Sequence, residues 1–240
     1  GVGNRSPLST FEANIRGTWN ILEACRLNKN IVQRIIIASS DKAYGDQDIL
    51  PYTEGAPLHG AHPYDVSKSC ADLISYTYYN TYGLPVCITR CGNIFGPGDL
   101  NYNRLIPGTI LSVLKNEPIL IRSDGKLKRD YFYVKDAVNA YITLAEHMGT
   151  QDISGEAFNF SSGEMISVLD MTSSVLDVMD RKDHPVEILN EVEGEIKDQY
   201  LSIEKARSVL AWSPAYSLKD ALHETVSFYS KHFAGQPLTQ

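Results

Sequence analysis

The apolar run Ile35-Ile36-Ile37-Ala38, which closes a β-branched stretch beginning at Val32, constrains the fold more than any other feature. It shows no alternation of apolar and polar residues. A strand built from it is therefore expected to be covered on both faces, as in parallel sheets flanked by helices. Pro85 to Cys91 has the same character. Before the first run, Ser9 to Asn28 sets Phe11, Ile15, Trp19, Leu22 and Cys25 at helical spacing. Between the runs, Pro63 opens a helix that Gly83 ends after Tyr82. Strands alternating with helices predict an α/β fold with a Rossmann-like parallel sheet.

Beyond Cys91 the pattern loosens. Gly92 to Asn103 reads as a loop dense in Gly, Pro and Asn. Helices are expected at Leu105–Lys115, Val134–His147, Val168–Met179, Ile203–Leu210 and Leu218–Phe233, with short strands at Ile119–Arg122 and Ala157–Phe160. This divides the chain into residues 1–98, part of a nucleotide-binding domain, and residues 99–240, mainly a smaller α/β substrate-binding cap, some of whose segments return to the sheet. The 22 Lys and Arg against 29 Asp and Glu leave a net charge of −7. That balance argues against coating nucleic acid or an anionic membrane, since phosphate binding needs an excess of cations. No apolar run approaches the roughly 20 residues of a membrane span. Cys25, Cys70, Cys87 and Cys91 form no C-x-x-C pair and lie near no ligand-spaced histidine, so reduced thiols, no metal site and a cytoplasmic protein are expected. Trp19 and Trp212 read as packing residues.

The chemistry concentrates in three places. Tyr64 and Lys68, four apart in one helix, share a face, and a nearby ammonium favours the phenolate, so Tyr64 is expected to act as a base at lowered pKa. The first predicted strand ends in Ser39-Ser40-Asp41-Lys42, and the second in Arg90-Cys91-Gly92-Asn93. Ligands of parallel sheets bind at the carboxyl ends of strands, so these pieces converge on one site.

Together with Asn14-Ile-Arg-Gly-Thr18, Arg129 to Asp136 and Lys205 to Pro214, these motifs resemble the extended short-chain dehydrogenase/reductase family, and within it the NAD-dependent nucleotide-sugar epimerases and dehydratases. The resemblance runs through essentially the whole chain. The family's glycine-rich fingerprint, G-x-x-G-x-x-G, which holds the NAD pyrophosphate, has no counterpart here. The resemblance thus implies that the segment belongs to a longer chain with a further Rossmann half ahead of it. Asp41-Lys42 directly after the hydroxyl residue is similar to CDP-glucose 4,6-dehydratases and to inverting UDP-N-acetylglucosamine dehydratases. The rest of the chain looks closest to the CDP-glucose type. Ser40 stands where dehydratases usually carry Thr, and keeps the hydroxyl.

The resemblance implies NAD as cofactor, touched by Ser39, Tyr64, Lys68, Cys91 and Asn93. It implies a nucleotide-sugar substrate held by Ser40, Asn93, Asn103, Arg104, Leu105 and Arg129. The implied catalytic set is Ser40, Asp41, Lys42, Tyr64 and Lys68. Tyr64 would take the proton of the 4-hydroxyl during oxidation at carbon 4, with Ser40 bonded to the 4-oxygen. Lys42 would then take the proton at carbon 5, and Asp41 would protonate the departing 6-hydroxyl. A homodimer through the helices beginning near Ser9 and Pro63 is also implied. The alternatives are a 4-epimerase or decarboxylase on the same scaffold, which Asp41-Lys42 argues against, and a non-catalytic remnant without its cofactor half, against which the intact Ser, Tyr and Lys speak.

Overall fold

The computed structural model describes residues 2–191, 196 and 198–235. The chain opens with three helical segments, α1 (Val2–Arg5), α2 (Pro7–Phe11) and α3 (Gly17–Leu27), the last two joined by a π-helical turn, Glu12–Arg16. Then come β1 (Ile35–Ala38), a 3-10 turn (Asp41–Tyr44), α4 (Pro63–Tyr82) and β2 (Val86–Cys91). Proline at its first turn starts α4. Gly83, left-handed at φ 61, stops it and lets its own amide and that of Leu84 return to the carbonyls of Tyr79 and Tyr78. The rest of the chain supplies β3 (Asn93–Phe95), α5 (Leu105–Lys115), β4 (Ile119–Ile121), β5 (Lys128–Tyr133), α6 (Val134–His147) and β6 (Ala157–Phe160). It ends with β7 (Met165–Ser167), α7 (Val168–Val178), β8 (Val186–Ile188), β9 (Asp198–Gln199), α8 (Glu204–Leu210) and α9 (Leu218–Ala234).

Strands β1, β2 and β6 form a parallel sheet in that order, with Ile35 opposite Val86 and Cys91 opposite Phe160. All six residues of β2 are buried. β1 departs from expectation: only Ile35 in it is buried, because among the described residues β1 pairs with β2 alone and is the outer strand. A second sheet is built on β5, which pairs in parallel with β3 and β9 and antiparallel with β7, and β4 pairs with β8. The sequence reading placed β3 inside a loop and did not separate β5, β7, β8 and β9 as strands. Four of these have only two or three residues, too few to display a period of two, and β5 begins with Lys-Arg-Asp.

One core gathers Cys87, Leu144, Phe158, Phe160 and Trp212 between β2, β6, α6 and α8. Another joins Ile110, Met171, Val175, Leu222 and Tyr229 of α5, α7 and α9. Trp212 is 2% exposed, but Trp19 is 42% exposed, so only one of the two tryptophans packs inside. The four cysteines are free, two of them buried. Among the described residues no helix is long and apolar enough to cross a membrane.

Candidate active site

The site begins where β1 stops. The Ser39 amide adds a rung to the sheet by donating to Thr89 O at 2.8 Å. Ser40 is still extended, at φ −161 and ψ 159, and its Oγ accepts from the Lys42 amide, which turns the chain into the 3-10 turn. Gly45 ends that turn at φ 68, where a Cβ would lie 2.0 Å from His59 O, so only glycine lets the following loop close down. Helix α4 is fixed against the turn by Ser69, whose hydroxyl donates to Ala43 O at 2.9 Å. Another tie, Asn14 Nδ2 to Ser67 Oγ at 2.9 Å, comes from the π-helical turn.

These supports bring Ser40, Asp41, Lys42, Tyr64 and Lys68 together. Ser40 Oγ donates to Asp41 Oδ1 at 2.9 Å and is also hydrogen-bonded to Tyr64. Asp41 is 2% exposed, and Lys42 Nζ pairs with its Oδ2 at 3.3 Å. Lys68 Nζ lies 5.8 Å from the centre of the Tyr64 ring and donates to Ala38 O at 2.9 Å. Ser39 Oγ donates to Lys68 O at 3.4 Å.

The electrostatics correct one expectation. The Tyr64 phenol is raised, not lowered: partial burial dominates, the Asp41 carboxylate adds to it, and Ser40 and Arg104 pull the other way. Burial also lowers the Lys68 ammonium. Cys91 closes β2 nearby, its thiol pushed up to about 12, first by burial and then by Asp41.

The residues read as substrate ligands gather less completely. Asn93, Arg104, Leu105 and Arg129 line one cavity of about 210 Å³, floored by Phe95 and Tyr131. Arg104 donates to Asp99 Oδ2 at 2.8 Å and to Ile94 O at 2.7 Å, and its charge pulls the Tyr64 phenol down. Asn103 is not in this lining. It is exposed on the approach to α5, with its amide turned back to Asn101 Oδ1.

Two residues at the site were not legible in the sequence. Gln199, wholly buried on β9, accepts from Lys42 Nζ with its Oε1 and donates from Nε2 to Asp41 O at 3.1 Å. Asp130, wholly buried on β5, accepts from the amides of Ser162 and Leu201, and burial pushes its carboxyl up to about 7. Gln199 sits in a stretch without periodicity, and the sequence holds no signal for it. Asp130 is the second residue of Arg129-Asp-Tyr-Phe-Tyr-Val134, a motif in which the sequence marks only Arg129 as a ligand.

The arrangement is an acid–base cluster at the carboxyl ends of parallel strands beside a cavity that two guanidinium groups line. The chain resembles the low-salt glycan biosynthesis protein Agl12 of Haloferax volcanii, at 32% identity over 95% of this chain and 70% of the relative. It spans 55% of the UDP-glucuronic acid decarboxylase 1 of Xenopus tropicalis, which it also resembles, against 70% of Agl12. Among solved structures, dTDP-glucose 4,6-dehydratase of Streptomyces venezuelae with NAD and TYD bound superposes with a TM-score of 0.88, at 27% identity over 99% of this chain and 72% of that one. UDP-glucose 4-epimerase of Thermotoga maritima with UDP-glucose gives 0.87, at 26% identity over 96% and 74%. The profile of one family matches residues 1–160 and so takes in β1, the 3-10 turn, α4, β2 and the cavity. With that match added to the geometry, the chain belongs to the NAD dependent epimerase/dehydratase family.

Proposed function

We propose that this chain carries the catalytic acid–base groups of an NAD-dependent nucleotide-sugar 4,6-dehydratase acting on CDP-glucose. The observation that supports this reading above an epimerase is the Asp41–Lys42 pair. It stands on the same turn as Ser40, which hydrogen-bonds both Tyr64 and Asp41. Oxidation at carbon 4 needs Tyr64, with Ser40 and Asp41 to take up its proton, whereas elimination across carbons 5 and 6 also needs a separate base for carbon 5 within reach, which Lys42 supplies.

The donors fit the nicotinamide end of NAD. Lys68 uses one of its three N–H donors on Ala38 O, and no other hydrogen-bond acceptor for it lies among the described residues. The remaining donors, beside the Tyr64 ring, suit a ribose diol, with Ser39, Cys91 and Asn93 at the neighbouring strand ends. When bound, NAD supplies a two-electron acceptor at carbon 4 and returns the same electrons at carbon 6. Tyr64 accepts the 4-hydroxyl proton and passes it through Ser40 Oγ toward Asp41. This eases the charge that holds the phenol up and loads Asp41 as the acid. The 4-ketone acidifies carbon 5, Lys42 removes that proton, Asp41 protonates the leaving 6-hydroxyl, which departs as water, and as carbon 6 is reduced the Lys42 ammonium returns a proton to carbon 5. Asn93, Asn103, Arg104, Leu105 and Arg129 serve the nucleotide sugar, with the guanidinium groups facing its diphosphate. Residues 1–98 form the cofactor side and 99–240 mainly the substrate side. Exposed Trp19, Ile21, Leu73 and Tyr76 on the adjoining helices α3 and α4 suit a homodimer through those helices.

The test is a pair of variants assayed with CDP-, UDP-, GDP- and dTDP-sugars. Tyr64→Phe should lower turnover by about 10²- to 10⁴-fold with substrate binding retained. Lys42→Met should still reduce added NAD, yet stop before the 4-keto-6-deoxy sugar and lose solvent-deuterium incorporation at carbon 5. Normal product from Lys42→Met would refute the dehydratase reading and leave the epimerase.

A further inference from the structure

We infer that Gln199 is a positioning residue that aims the lone pair of Lys42 at carbon 5. This rests on the reading of Lys42 as the carbon-5 base. Gln199 comes from β9, where it lies opposite Arg129 of β5, and it reaches the 3-10 turn from 157 positions further along the chain. Its amide cannot be reversed: the backbone carbonyl of Asp41 only accepts, so Nε2 must face it, which leaves Oε1 facing Lys42. The side chain therefore grips the turn at two points and is itself wholly buried.

A neutral amine has two N–H bonds and one lone pair. With one N–H on Gln199 Oε1 and the other on Asp41 Oδ2, the lone pair is left with the one remaining tetrahedral direction, away from both partners. Without Gln199, the amine is held by Asp41 alone and swings about a single contact. The carboxylate is then its only polar partner. A neutral amide places the base without adding charge to it, so the effect of Gln199 falls on the carbon-5 step and not on oxidation at carbon 4.

The test uses the full-length protein with NAD and the nucleotide sugar that it turns over. Three variants are compared in single turnover: Gln199→Met, Gln199→Glu and Lys42→Met. Gln199→Met should reduce NAD at the parental rate while deuterium incorporation at carbon 5 slows by roughly 10- to 100-fold, as expected for a displaced base. Gln199→Glu keeps an acceptor but adds a charge, and should move the acid limb of the carbon-5 rate to higher pH. Competitive acetylation of Lys42 against pH, read by peptide mass, should move the same way without any turnover. If Lys42→Met loses carbon-5 incorporation and Gln199→Met does not, the inference fails and the dehydratase reading stands. If Lys42→Met keeps it, that reading fails first. Loss of cooperative melting in both Gln199 variants also overturns the inference, because Gln199 would then be holding β9 and not the base.

Discussion

Tyr64 shows how a side chain legible in the sequence acquires a property that was not. Its spacing from Lys68 is local, one helical turn, so their approach followed from the sequence alone. Its ionisation depends on Asp41, which another element delivers, and on burial, which only the folded chain supplies. Ultraviolet difference titration of the protein against Tyr64→Phe should place the phenol's midpoint above the ordinary tyrosine value of about 10. A midpoint near neutrality would mean that the lysine outweighs burial after all. Gln199 marks the other limit of legibility. Glutamine is unremarkable in any stretch of chain, and nothing near it in sequence announces a partner 157 positions earlier.

Among elements, the long helices and the β1, β2 and β6 strands were readable because each carries its own start, stop or apolar run. The second sheet was not, since its strands are short and borrow their order from β5. Beside the apolar cores, a polar network joins the elements. Arg90 of β2 meets Asp72 of α4 through two hydrogen bonds of 2.8 Å, both side chains buried, and also donates to Tyr44 Oη at 2.8 Å and Glu54 O at 3.1 Å. Tyr44 in turn donates to Asn159 of β6 at 2.7 Å. One guanidinium thus ties the helix bearing Tyr64 to the turn bearing Asp41. Arg90→Met leaves the Asp72 carboxylate buried without a partner and should cost about 3–5 kcal/mol in urea unfolding. Adding Asp72→Leu should recover much of that. A single variant within about 1 kcal/mol of the parent would show that the pair carries little of the packing between α4 and β2.

Across the whole molecule, Asp130 lies where the two sheets meet, bonded from the segments after β6 and β9. Its carboxyl, raised to about 7 by burial, holds a proton in the folded chain that the unfolded chain has released. Its contribution is therefore fully present at acid pH, declines as pH climbs from about 4 to about 7, and is flat above, worth at most about 4 kcal/mol across that window. The difference in unfolding free energy between parent and Asp130→Asn should show this slope between about pH 4 and about pH 7 and level off above, and parallel curves would rule it out. The outer strand β1 carries a consequence of its own. Ile35 and Ser39 direct their amides to β2, so by the alternation of a parallel ladder Ile36 and Ala38 turn theirs to the opposite side, where no strand is described. β1 thus has an unused hydrogen-bonding valence, but not along its full length: the carbonyl of Ala38 is already occupied by the ammonium of Lys68. Any strand added to that side can bond as far as Ile36 and must stop there, or else displace the lysine that stands over Tyr64.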